Sequence, residues 1–317
     1  MKILANDGIS QSGIDALEEK GFEVLTVKVA QEQLINYIND NNIDAILVKG
    51  ITQIQEELIE ACPSIKLIGC GGLDMDSIDV DFAKENGVHV INTPEATSQA
   101  IAELVFAHLF GMVRFLHQAN REMPLEGETR FNALKREFAA GTELKGKTLG
   151  IIGNDPSGKD VAKIALATGM KVIFSGNYSD ENTITVPFYN GQSIDIEVET
   201  EPLKELLKSA DFITFHTTSN EGYIIGNNQF KDMKDGVGIV NTSQGGVLDE
   251  VALVNYIESG KVKYAALDVF ENEPTPEIQL LMNTDLSLSP HIGSSTLEAQ
   301  NRIGTELAKQ IIELLSE

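Results

Sequence analysis

The stretch KTLGIIGNDPSGKDVAKIALATG, residues 147–169, passes from an apolar run, Thr148 to Ile152, through a glycine turn into a helix-patterned segment. Strand, turn and helix in that order, with glycines at Gly153 and Gly158, form the setting of a G-x-G-x-x-G dinucleotide-binding loop. The middle glycine of such a loop lets the backbone touch a pyrophosphate, and Asp155 stands in its place. A carboxylate there faces the anion the loop would hold. Asp155-Pro156 reads instead as a helix N-cap followed by proline at the first helical position. The helix end that attracts phosphate is then satisfied from within. Gly153 to Lys159 also spells most of a G-x-x-x-x-G-K phosphate loop, but Asp160 occupies the place of the Mg²⁺-binding Ser or Thr, so that reading fails.

Outward from this loop the same unit recurs. Residues 2–7, 22–28, 44–49, 66–70 and 88–92 are short, β-rich apolar runs separated by amphipathic stretches such as IDALEEKG and QEQLINYIND. Several of these stretches end in the Gly or Asn of a helix C-cap. A second series occupies 147–153, 171–175, 211–216, 237–241, 264–269 and 285–288. Alternation at this spacing predicts an α/β chain with doubly wound parallel sheets. One long helix is predicted from near Thr97 through AIAELVFAHLFGMVRFLHQA, and a last one over 294–316. The run TITVPFYNGQSIDIEVE alternates around Asn190-Gly191, which predicts an antiparallel hairpin outside the parallel sheet.

Composition narrows the function. A chain of 317 residues accommodates two α/β lobes. Its net charge of -24 argues against nucleic acid or an anionic membrane surface as partner. MKILANDGIS reads as a strand entering a helix rather than a signal peptide, and no apolar run is expected to reach the ~20 residues of a membrane span. A cytoplasmic protein is expected, with Cys62 and Cys70 as buried free thiols. The five histidines are scattered without metal-ligand spacing.

The runs NTPEATSQAIAELVFAHL, ELKGKTLGIIG, DFITFH, MKDGVGIVNTSQGGVLDE, ALDVFENEP and SPHIGSST resemble, in order and over nearly the whole chain, the signatures of the NAD-dependent D-2-hydroxyacid dehydrogenases. The likeness is greatest to the short 3-phosphoglycerate dehydrogenases without a regulatory domain, enzymes of serine biosynthesis. It implies two Rossmann- or flavodoxin-like domains with a cleft between them. Residues 1–94 plus 290–317 would form a discontinuous substrate domain and 95–289 a dinucleotide-binding domain. It also implies a dimer through the first long helix of the latter, and the apolar excess of AELVFAHLFGMVRFLHQA agrees with that.

The chemistry the resemblance implies is hydride transfer between C2 of a hydroxy acid and nicotinamide. It needs a base, a carboxylate to orient that base, and a cation to grip the substrate carboxylate. His291 in SPHIGSST matches the base and Glu273 in ENEP its partner, which would hold the imidazole in one tautomer. Asp268 in ALDVF matches the acid near the nicotinamide carboxamide. Ser157 and His216, which closes DFITFH, fall with Gly153, Asp155 and Gly158 in the implied cofactor-binding set.

Other positions depart from the pattern. Gln244 in NTSQGG replaces the arginine that grips the substrate, and it has neither charge nor a guanidinium fork. In the substrate set Cys70, Gly71 and Gly72, Cys70 stands where phosphoglycerate enzymes often carry arginine, and Asp74 follows where glycine is usual. Thr97 stands where asparagine is common. No arginine occurs before Arg114 or between Arg136 and Arg302, so no adjacent arginine can substitute, and a displaced lysine such as Lys49, serving as a point charge, is the weaker reading. At the end of the second strand, where an acid should hold the adenine ribose, the chain has Ser175-Gly176-Asn177, with Asp180 a few residues on and out of register. Weak or absent NAD binding is therefore expected, and with it a catalytically degenerate relative serving as a binding, regulatory or hetero-oligomer subunit. The alternative is an active dehydrogenase of altered specificity or low activity, acting on a small 2-hydroxy or 2-keto acid.

Overall fold

Ala45–Val48, Leu67–Cys70 and Phe212–Phe215 are buried along their whole length, as strands of a parallel sheet covered on both faces must be. The computed structural model describes residues 1–73, 75–176, 183–218 and 222–315. Asp74, Asn177 and Asp180 lie outside the described residues. The chain divides into one unit of Met1–Ala100 with Ser294–Glu317 and a second of Ile101–Gly293.

The first unit carries a five-stranded parallel sheet in the order Glu23–Leu25, Lys2–Ala5, Ala45–Val48, Leu67–Cys70, His89–Asn92. Leu4, Ile46 and Ile68 pack on one face with Leu34, Ile38 and Leu58, and Ile3, Ala45 and Leu67 pack on the other with Ile303 and Leu307. The last two belong to the C-terminal helix Leu297–Leu315, so the end of the chain completes the fold of its beginning. Strand order reverses between Lys2–Ala5 and Ala45–Val48. Ligands of such sheets gather outside the carboxyl ends of the strands at such a point. Here Asp7 accepts from the Lys49 N–H at 2.8 Å, the Thr52 N–H at 3.2 Å and the Thr52 hydroxyl at 2.7 Å.

The second unit carries a seven-stranded parallel sheet in the order Glu199–Thr200, Lys171–Ser175, Thr148–Ile152, Phe212–Phe215, Val237–Asn241, Val262–Leu267, Leu286–Leu288. Its reversal lies between Thr148–Ile152 and Phe212–Phe215, so Gly153 and His216 emerge side by side at the switch point. The hairpin around Asn190-Gly191 forms as Thr183–Pro187 paired antiparallel with Ser193–Glu197, and its buried Ile184 and Val186 join the core that also holds Val161 and Ala165.

Two expectations need correction. The single long helix is two, Pro94–Val113 and Leu116–Glu137, because Phe115 takes a left-handed backbone at φ 55°. Its ring then packs against Phe138 and Tyr264, both at 6.2 Å between centroids. Pro94–Val113 is moreover long and apolar enough to cross a membrane by length and composition, contrary to the expectation of no such run. Its Ala102, Val105, Leu109 and Met112 are fully buried in the second unit's core, which accounts for its hydropathy.

Candidate active site

The nucleotide loop is built by local chemistry. Gly153 has φ 107°, and a Cβ there would overlap the carbonyl of His216, so only glycine makes the turn. Asp155 then caps the helix Pro156–Ala167, its Oδ1 accepting from the Gly158 N–H at 2.9 Å. The same oxygen accepts from the Ser157 hydroxyl at 2.6 Å. A carboxylate only accepts, so Ser157 Oγ in turn accepts from His216 Nδ1 at 2.6 Å, and His216 Nε2 meets the Thr214 hydroxyl at 3.0 Å. His216 Nδ1 also lies 3.6 Å from Asp155 Oδ1. Burial pushes the Asp155 carboxyl up, but the hydrogen bond and charge of His216, with Ser157 and the Gly158 N–H, outweigh it and hold the group below the ordinary range. Asp155, Ser157, Gly158 and His216 thus form one closed network. Gly176, at the ribose position, is exposed with φ 152°, a backbone that disfavours any side chain.

The second cluster lies around His291. Its Nδ1 is 2.8 Å from Glu273 Oε2, while Glu273 Oε1 accepts from the Phe270 N–H at 3.0 Å. The imidazole is 54% exposed. His291 is left-handed at φ 53°, held by hydrogen bonds from the loop to Asp268: the His291 N–H to its carbonyl at 2.8 Å, the Ile292 N–H to Oδ1 at 2.9 Å and the Gly293 N–H to Oδ2 at 2.8 Å. Asp268 is wholly buried. Its carboxylate clamps the His291 loop through the Ile292 and Gly293 N–H groups. Glu273, Phe270, Ser289 and His291 line a pocket of about 430 Å³.

The loop of Gln244 joins the two clusters. The Ser243 hydroxyl donates to the Thr217 carbonyl, and the Thr217 N–H to Ser243 Oγ at 3.3 Å. Asn241 Nδ2 donates to the Gln244 carbonyl at 3.0 Å. Gly245 lies so close to the Phe270 carbonyl that a Cβ would overlap it. The sequence-predicted residues of the second unit therefore lie side by side at the carboxyl ends of its parallel strands.

Those of the first unit form their own group. Cys70 is buried and ends its strand, and the Gly71 N–H donates to the Val48 carbonyl at 2.9 Å. The Gly72 carbonyl accepts from the Thr93 N–H at 3.0 Å. The Thr97 hydroxyl donates to the Pro94 carbonyl at 3.2 Å within the first helical turn. The stem of Lys49 lies along Gly71, and its Nζ donates to Gln300 Oε1 at 2.6 Å. Burial lowers the Lys49 pKa, with Asp7 opposing.

Residues 106–293 match the model of the D-isomer-specific 2-hydroxyacid dehydrogenase NAD-binding domain. The chain belongs to that family. It is 38% identical to the hydroxypyruvate reductase of Thermotoga maritima, over 99% of this chain and 98% of that one. It is 37% identical to the D-3-phosphoglycerate dehydrogenase of Methanocaldococcus jannaschii, over 99% of this chain but only 57% of the relative. The glyoxylate reductase structure from Paecilomyes thermophila superposes with a TM-score of 0.81 at 30% identity, covering 100% of this chain and 96% of that one. This is an NAD-linked oxidoreductase family of Rossmann-type fold. Sequence reading missed Ser289 and His108, which hold Asp268 from behind, and Ser243, which ties the Gln244 loop to Thr217.

Proposed function

We propose that this family member is a non-catalytic or regulatory relative of the D-2-hydroxyacid dehydrogenases, with NAD binding and hydride transfer impaired or lost. The observation that carries the reading is the Asp155 carboxylate, which already occupies the Gly158 N–H and the Ser157 hydroxyl where a pyrophosphate would bind. A second anion at that helix end would face a buried negative charge and lose the backbone donor. The loop does not fit the dinucleotide. Gln244 adds to this, because a neutral amide cannot replace a guanidinium on a carboxylate. Losing one such charged contact costs about 2–4 kcal/mol, or roughly 10²–10³ in rate.

One observation favours the other reading, an active enzyme of altered specificity. The Glu273–His291 pair is in place at 2.8 Å, and Lys49 offers a charge beside Gly71. Calorimetry with NADH, together with turnover of 3-phosphoglycerate and hydroxypyruvate, separates the two. Negligible heat and turnover are expected. Micromolar NADH binding with ordinary turnover would overturn the degenerate reading.

For assembly we propose a two-fold homodimer, able also to pair with an active relative. Phe110, Leu116, Leu125 and Phe131 are exposed along Pro94–Val113 and Leu116–Glu137, a run of surface apolar groups suited to a partner. Sedimentation equilibrium at micromolar concentration should show dimer, and a monomer there would refute it. The absence of nucleic-acid and membrane partners and a cytoplasmic location remain part of this proposal, supported by the net charge of -24.

A further inference from the structure

Asp268 has a partner besides the loop it clamps. The Ser289 hydroxyl lies 2.5 Å from its Oδ1 and must donate to it, since a carboxylate only accepts. Ser289 Oγ is also 2.9 Å from His108 Nε2. With its own proton directed to Asp268, the serine oxygen accepts there, so His108 carries its proton on Nε2. Its Nδ1 then accepts from the Ser287 hydroxyl at 2.9 Å. Burial lowers the His108 pKa, Asp268 opposes and His117 adds to the lowering. Lowered from its ordinary 6.5, the imidazole is neutral near pH 7, and both hydrogen bonds accommodate the neutral ring.

His108 stands on the apolar helix Pro94–Val113 and is itself buried, with Val105, Leu109 and Met112 in the core of the same helix. A polar ring in such a place is retained only when hydrogen-bonded, and both of its nitrogens are. The ring does more than fill space. The His108 donor on the far side of Ser289 fixes the direction of that hydroxyl, and without it the third hydrogen bond to the Asp268 carboxylate is weakened. That carboxylate holds the N–H groups of Ile292 and Gly293, which keep His291 in a left-handed conformation open to few residues other than glycine. We propose that His108 is a positioning residue for the His291–Glu273 pair, acting through Ser289 and Asp268. The proposal rests on reading His291 and Glu273 as the retained base and its partner, and not on whether NAD binds.

The test is side-chain ¹⁵N NMR of His291, which distinguishes the two neutral tautomers and needs neither cofactor nor substrate. In the unaltered protein the Nδ1–H form, bonded to Glu273, should dominate. His108→Met removes the donor, and the Nε2–H form of His291 should rise several-fold. His108→Gln, whose Nε2 also donates to Ser289, should restore the original spectrum. Ser289→Ala cuts the relay with a smaller change of volume and provides the same readout should His108→Met fail to fold. A purely structural role predicts a lower Tm with the His291 tautomer unchanged in the folded variants, and that result would overturn the relay alone. Absence of the Nδ1–H form in the unaltered protein would overturn the dyad reading, and this proposal with it, while leaving the cofactor question to calorimetry.

Discussion

Two Asp–Ser–His chains stand in the second unit, built alike and used differently. In one, Asp155 accepts from Ser157, which meets His216, whose far nitrogen meets Thr214. In the other, Asp268 accepts from Ser289, which meets His108, whose far nitrogen meets Ser287. The second chain directs its remaining acceptors to the backbone of the His291 loop and leaves that imidazole half-exposed. The first turns its carboxylate onto the end of its own helix. The residue types are therefore a poor guide to function. What matters is which backbone donors the carboxylate occupies: those that shape a loop, or those that a ligand would need.

The largest expected effect breaks the first chain. Asp155→Gly frees the Gly158 N–H and removes the charge facing a pyrophosphate, while Gln244→Arg restores a carboxylate grip. Each alone should leave turnover of 3-phosphoglycerate within about tenfold of background, and together they should raise it by about 10² or more. Transition-state contacts act only once both reactants are held. An acid at Gly176 is left out of this pair, because φ 152° penalises a side chain there. Recovery with Gln244→Arg alone would show that the closed loop is not what blocks the site.

Removing the same network should cost stability. Asp155→Ala loses an N-cap and leaves the Ser157 hydroxyl and the Gly158 N–H without their acceptor, a loss of about 1–2 kcal/mol measurable by urea denaturation at pH 7. Its pH dependence has a fixed sign. A carboxylate held below its ordinary value of 3.8 in the folded state stabilises above that value and loses its contribution as pH falls through the folded pKa. The gap between the variant and the unaltered protein should therefore narrow below about pH 3.8. A gap that is absent at neutral pH would mean that the network is ornamental.

Much of this was legible along the chain. The Asp155 cap spans three residues, and the hairpin turns on Asn190-Gly191, so local spacing reveals both. Strands such as Ala45–Val48 announce themselves because burial on both faces demands an unbroken apolar run. The break at Phe115 was hidden, since its cause is the packing of that ring against Phe138 and Tyr264. The two histidine links were hidden more deeply. Ser157 and His216 are 59 residues apart, and His108 and Ser289 are 181 apart, so only the tertiary fold brings them within a hydrogen bond. The signatures located His291 and Glu273, but nothing in them disclosed that Asp268 holds the loop from behind.

The smallest effect sets the two ends of the site against each other in pH. Near Glu273, the Glu250 carboxylate accepts from the Glu271 N–H at 2.8 Å, and Glu271 accepts from the Glu250 N–H at 3.0 Å. Burial pushes the Glu250 carboxyl up to about 7, the Glu271 N–H opposes, and the charges of Glu271, Glu273 and Glu277 add to the rise. A group raised from 4.5 to about 7 on folding holds more protons in the native state across that interval, so stability falls as pH rises through it. This is opposite in sign to Asp155, whose contribution is lost only in stronger acid. Between pH 5 and pH 7 the Asp155 contribution is constant, so a decline in Tm that disappears in Glu250→Gln belongs to the Glu250–Glu271 pair. Glu250→Gln keeps an oxygen for the Glu271 N–H while removing the charge, and its Tm should be nearly flat over this range. If the variant declines as steeply as the unaltered protein, Glu250 ionises without penalty and the acidic end of the site is not under charge strain.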